Sequence, residues 1–189
     1  MSAKDQRLKF EIENILESES HGTDLIAYFE NLEEKDVRRA ISILSGIYPT
    51  SQEISDGELS FIEYMLLNKN ITEQKSFPEF VRSINIVNYT DAQRARVRNI
   101  LNENFSNFCE KTTFEFDDLF IRMHNSDSLI NALQDLSEKK DKASLQHIFN
   151  ILNYENFSDW KIPLENVERL KKKISNKLQT LPESIGVAA

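Results

Sequence analysis

Cysteine, glycine and proline are scarce in this chain of 189 residues, with one Cys, four Gly and four Pro. The lone thiol, Cys109, excludes an internal disulfide and any cysteine-based zinc site. Phe105, Phe108 and Phe114 stand close to it, so a buried thiol is expected rather than a reactive one. Gly and Pro usually make up about 7% and 5% of a chain, and β-sandwiches and barrels depend on them for frequent turns. Their shortage argues for helices. No apolar run approaches the roughly 18 residues of a membrane span. The segment Met1 to Arg7 leads straight into amphipathic sequence, without a signal peptide's apolar stretch. A soluble, cytoplasmic protein with no membrane partner is expected. A Gly-rich phosphate loop, G-x-S-x-G and H-E-x-x-H are also missing, and no cofactor or metal is expected.

What is present is enough for a core: 40% of the residues are hydrophobic and 29% charged, too rich in core-formers for a disordered chain. The net charge of −8 is unevenly spread. Residues 1–80 hold 8 Lys+Arg against 16 Asp+Glu, whereas residues 81–189 hold 15 of each, so all the net negative charge lies in the first 80. Such a surface repels phosphate backbones and steers basic partners toward itself.

Apolar residues recur at helical spacing throughout. Leu8, Ile12, Ile15 and Leu16 mark a leading helix over 4–18. Further stripes are Leu25, Ile26, Phe29 and Leu32; Val37, Ala40, Ile41, Leu44 and Ile47; and Leu59, Ile62, Met65 and Leu66. The pattern also repeats. Asn99 to Asn102 reads Asn-Ile-Leu-Asn, then Glu103, Asn104, Phe105 and Ser106. Asn150 to Asn153 reads the same and, after one extra residue, continues Glu155, Asn156, Phe157 and Ser158. Leu59, Ile62 and Leu66 stand 57 residues before Phe116, Leu119 and Met123, and Val167, Leu170 and Ile174 follow 51 residues later.

Helix punctuation keeps the same register. Ser55 with Glu58 and Thr112 with Glu115 read as capping boxes, also 57 residues apart, and Pro163 stands at the matching place as a first-turn residue. Ser76 with Glu79 and Thr90 with Gln93 read as further caps. Gly46, Asn102 and Asn153 read as left-handed helix stops. The expected fold is therefore all-α: one domain over 1–178, with a leading helix and three units, 23–70, 76–125 and 126–178, making about nine to ten helices. The layout resembles HEAT or armadillo helical repeats, without their sequence signatures. A compact helical bundle is the alternative. Residues 179–189 are expected to form a flexible tail.

The polar residues do not converge on a catalytic set. None of His21, His124 and His147 has an Asp or Glu three residues before it, so the Glu-x-x-His metal pattern is absent. Asp24 and Asp127 follow His21 and His124 by three residues, in segments that read as turns and helix starts. His147, between Leu145 and Ile148, reads as a structural histidine. No enzyme is expected. Nucleic acid is disfavoured by the acidic balance: Arg94, Arg96 and Arg98 spread round a helix instead of forming a stripe. Lys139, Lys140 and Lys142 with Lys171 to Lys173 are the better basic cluster.

A protein partner with a basic surface is the remaining reading. Glu30, Glu33, Glu34 and Asp36, with Glu53, Asp56 and Glu58, are the candidate contact residues, because they fall at successive helix junctions of the first unit. Arg38 and Arg39 partly neutralise the first group, and Asp36 and Glu58 have capping as a competing role. The expected function is a small inhibitor, such as a bacterial immunity or antitoxin protein that neutralises a basic toxin or enzyme domain. A non-catalytic adaptor in signalling or assembly is the alternative.

Overall fold

A computed structural model describes residues 2–48, 54–111 and 114–181. Among these residues all regular structure is helical. The elements are α1 (Ala3–Leu16), α2 (His21–Glu30), α3 (Glu34–Ile47), α4 (Asp56–Leu67), α5 (Lys69–Thr72), α6 (Phe77–Ser83), α7 (Asp91–Glu103), α8 (Phe105–Lys111), α9 (Phe114–Arg122), α10 (Ser126–Leu136), α11 (Lys142–Tyr154) and α12 (Leu164–Thr180). None is long and apolar enough to cross a membrane. The count exceeds the expected nine to ten because two short helices, α5 and α8, form between longer ones. At one, Asn68 Oδ1 accepts the Asn70 N–H at 3.0 Å and starts α5 directly after α4. At the other, Phe105 and Phe108, one turn apart and both buried, draw 105–111 into α8.

The chain divides into two compact units, Met1–Asn104 with Lys111–Met123, and Phe105–Glu110 with His124–Ala189. The second resumes at His124, two residues before the third unit expected from the repeat. In the first unit α1 packs on α2 and α3, α2 on α4, α3 on α6, and α6 on α9. Helix α4 buries Leu59, Phe61, Ile62, Met65 and Leu66, more than one face, which makes it a central element. Phe61 is the hub. The rings of Phe29, Tyr48 and Phe80 each lie about 6.0 Å from it, centroid to centroid.

The starts of α2 and α4 meet backbone to backbone. A Cβ at Gly22 would fall 2.2 Å from the Gly57 carbonyl carbon, so only a residue without one fits there. Side chains then fix the helix ends. Ser55 and Glu58, and Thr90 and Gln93, form the expected capping boxes, and Ser2 with Asp5 and Asn125 with Ser128 add two more. Thr112 lies outside the described residues.

Several expected ends differ. Ser76 caps nothing; its hydroxyl donates instead to the Arg38 carbonyl at 2.9 Å, tying the start of α6 to α3. Pro163 is the N-cap of α12, one residue ahead of the first turn. Gly46, Asn102 and Asn153 are helical, in α3, α7 and α11, and Lys161 is the one described residue at positive φ. Each of these helices ends one residue further on, at Ile47, Glu103 and Tyr154, and Asn104, the C-cap of α7, and Asn153 donate to the carbonyls four residues back.

In the second unit α11 packs against α10 and α12. Asp141 caps α11, accepting the Ser144 N–H at 2.7 Å and the Ser106 hydroxyl of α8 at 3.0 Å. His147 Nε2 lies 3.1 Å from the Cys109 carbonyl, and Cys109 itself is buried. The end of α10 is closed by α12: Lys177 Nζ donates to the Ser137 carbonyl at 2.6 Å, and both Lys173 and Lys177 pair with Glu138. Helix α12 extends to Thr180, two residues beyond the expected end of the domain at 178.

Candidate partner-binding groove

The acidic residues singled out from the sequence divide into three groups. Glu30, the last residue of α2, and Glu34, the first of α3, are exposed and share one groove. Glu33 and Asp56 are also exposed, but Glu33 is engaged by Lys35. Asp36 and Glu58 are buried, at 4% and 2% exposure, and cannot present their charge to a partner. Glu53 lies outside the described residues.

Both buried carboxylates serve the first unit itself. Asp36 does not cap a helix. It sits within the first turn of α3, where Lys4 of α1 pairs with it, so the ion pair joins two packed helices. Glu58 accepts the Ser55 N–H at 2.9 Å through one oxygen and faces His21 Nε2 at 3.1 Å through the other. His21 Nδ1 lies 3.1 Å from the Ser18 carbonyl, which can only accept, so that nitrogen carries a proton. Both ring nitrogens face groups of the first unit. Burial first, and then the charge of Glu58, hold the phenols of Tyr48 and Tyr89 well above the ordinary tyrosine range. Asp24, three residues after His21, takes the hydroxyls of Ser18 and Ser20 instead.

The groove at Glu30 and Glu34 has a volume of about 360 Å³. It is bounded by the end of α2, the start of α3, and Tyr64, Asn68, Asn70 and Ile71 from α4 and α5. Phe29, Val37 and Ile71, all buried, form its floor. Burial raises the pKa of the Tyr64 phenol, and the nearby Glu30 charge adds to this. The two rim carboxylates have no ion pair among the described residues. An apolar floor below unpaired carboxylates suits a long basic side chain, with its methylenes on the floor and its charge at the rim. Sequence reasoning missed Tyr64 and Ile71, because nothing in the spacing shows that α5 folds back against α3.

The basic candidates are mostly committed to internal bonds. Arg94 donates to the carbonyls of Ile86 and Tyr89, Arg98 to that of Met123, and Arg96 grips Glu63 with two bonds at 2.9 and 2.7 Å. Lys173 and Lys177 close α10, and Lys171 pairs with Glu168. Among the described residues, no three His, Cys, Asp or Glu side chains group so as to hold a metal ion. No protein-family model, curated protein or solved structure matches the chain.

Proposed function

We propose that this chain is a protein-binding module that captures a partner with a basic surface, and that it acts as an inhibitor of the immunity or antitoxin kind. The groove between α2, α3 and α5 carries this reading. Its floor is apolar, its rim holds Glu30 and Glu34, and it lies in the stretch that bears all the net negative charge. Such a site combines fast electrostatic capture with burial of apolar surface. Asp56 adds to the field without belonging to the groove.

The repeat layout is part of the proposal. Leu59, Ile62, Leu66, Phe116, Leu119, Met123, Val167, Leu170 and Ile174 occupy matching positions and are all buried, as stacked helical units require.

The test is association kinetics with a partner captured by the tagged protein and identified. Glu30→Lys with Glu34→Lys is expected to slow association by at least about tenfold at low salt and to abolish most of its salt dependence. Lys substitution at buried Asp36 would only unfold α3, so it is no test. An unchanged association rate in the double variant overturns the groove as the contact. One stoichiometric partner held at nanomolar affinity supports the inhibitor, and several held at micromolar affinity support the adaptor.

A further inference from the structure

Lys35, Arg38, Arg39 and Ser42 stand at i, i+3, i+4 and i+7 on α3, opposite the buried stripe of Val37, Ala40, Ile41 and Leu44. They form one wall of a concavity of about 480 Å³, whose other wall is Lys75, Ser76 and Glu79. Four of the eight basic residues in the acidic first 80 therefore gather in one place, against a single carboxylate. That carboxylate, Glu79, already accepts the Ser42 hydroxyl at 2.8 Å. Lys35 pairs with Glu33, and Arg39 reaches Asp5 only at 3.8 Å. Arg38 and Lys75 have no ion-pair partner among the described residues. The two walls are held at a set spacing, because buried Ser76 donates its hydroxyl to the Arg38 backbone carbonyl.

We propose that this concavity binds a phosphate monoester group. Two guanidinium forks and two ammonium groups around one hollow match a compact dianion with several acceptor oxygens. No aromatic side chain lines it, so it offers no stacking platform for a base, and the phosphate is what is recognised. The group arrives either on a small molecule or on a phosphorylated side chain of another protein. This inference is independent of the acidic groove. Its cations were legible as a helical face, but the opposing Lys75 was not, since 40 residues separate it from Lys35.

The test is a titration followed by amide and arginine side-chain NMR, at matched ionic strength, with glycerol phosphate, a phosphoserine peptide and its unphosphorylated, glutamate-substituted counterpart as probes. Saturable shifts confined to residues 35–42 and 75–79 are expected with at least one phosphate probe. Arg38→Gln with Lys75→Gln, both exposed positions, is expected to weaken that binding about tenfold or more. Lys139→Gln with Lys140→Gln, an equal change of charge elsewhere, is expected to leave it intact. Saturation by glycerol phosphate identifies a small-molecule phosphate as sufficient, and a response to the phosphopeptide alone identifies a phosphorylated protein segment. Equal binding of the glutamate peptide, equal loss in both double variants, or no saturable shift with any probe overturns the proposal.

Discussion

Glu58 shows how far one residue's role can depart from its charge. As an acidic residue near a helix start it reads as both a cap and a contact, and burial removes the second role. Its two oxygens serve different elements, the Ser55 N–H of its own helix and the His21 ring of α2. Glu58→Ala is expected to lower unfolding free energy by about 2–4 kcal/mol, since it loses the cap and strands the half-buried His21 imidazole. Glu58→Gln keeps a carbonyl oxygen for Ser55 and is expected to cost less than half as much. Urea denaturation measures both. Long-range ¹⁵N spectra of the wild-type imidazole should show Nδ1 protonated, and an unprotonated Nδ1 would contradict the bond to Ser18.

At the scale of elements, glycine separates close packing from simple helix composition. Gly22 lies where α2 crosses the start of α4, and an added methyl would overlap the Gly57 backbone. Backbone cannot move aside as a flexible side chain can, so Gly22→Ala is expected to cost about 3 kcal/mol or more. Gly46 is inside α3 with open space where its Cβ would be. Gly46→Ala is therefore expected to stabilise by about 0.5–1 kcal/mol, the usual helix-propensity difference. Thermal unfolding of the two variants should move in opposite directions. Both glycines look alike in the sequence, as residues beside a helix boundary. Only the neighbour across the gap tells them apart.

For the whole molecule, acid is the informative perturbation. The hydroxyl and N–H of Ser2 hold the Asp5 carboxyl below its ordinary range, and the hydroxyls of Ser20 and Ser18 do the same for Asp24. In the second unit Lys173 and Lys177 lower Glu138. Burial opposes the charge of Asp141, but the hydroxyl and N–H of Ser144 and the Ser106 hydroxyl outweigh it, and its carboxyl is lowered as well. A carboxyl whose pKa is depressed on folding adds stability that is complete above its unfolded value, about 4, and is lost as pH falls through the folded value. Both units should lose stability below about pH 4 rather than near neutrality. Asp141→Asn, which keeps an acceptor for Ser144, is expected to flatten that acid limb in urea unfolding measured from pH 5 to about pH 2.5. An unchanged slope would show that Asp141 titrates alike in the folded and unfolded chains.

Sequence alone determined the helical class and the apolar stripes, because burial at a period of 3.6 leaves its mark on adjacent turns. It also determined the capping boxes at Ser55 and Thr90, whose partners lie three residues away. The burial of Cys109 was legible in its phenylalanine neighbours. Only the tertiary structure decided which acids are exposed: Glu30 and Glu34 line a groove with Tyr64 and Ile71, whereas Asp36 and Glu58 turn inward to Lys4 and His21. It also decided that Ser76 binds α3 instead of capping α6, and that Lys75 faces the basic side of α3. The physical reason is one of distance along the chain. Local periodicity records how a helix meets water, but a long-range pair is formed by whichever helices pack together, and its partners carry no common local signal.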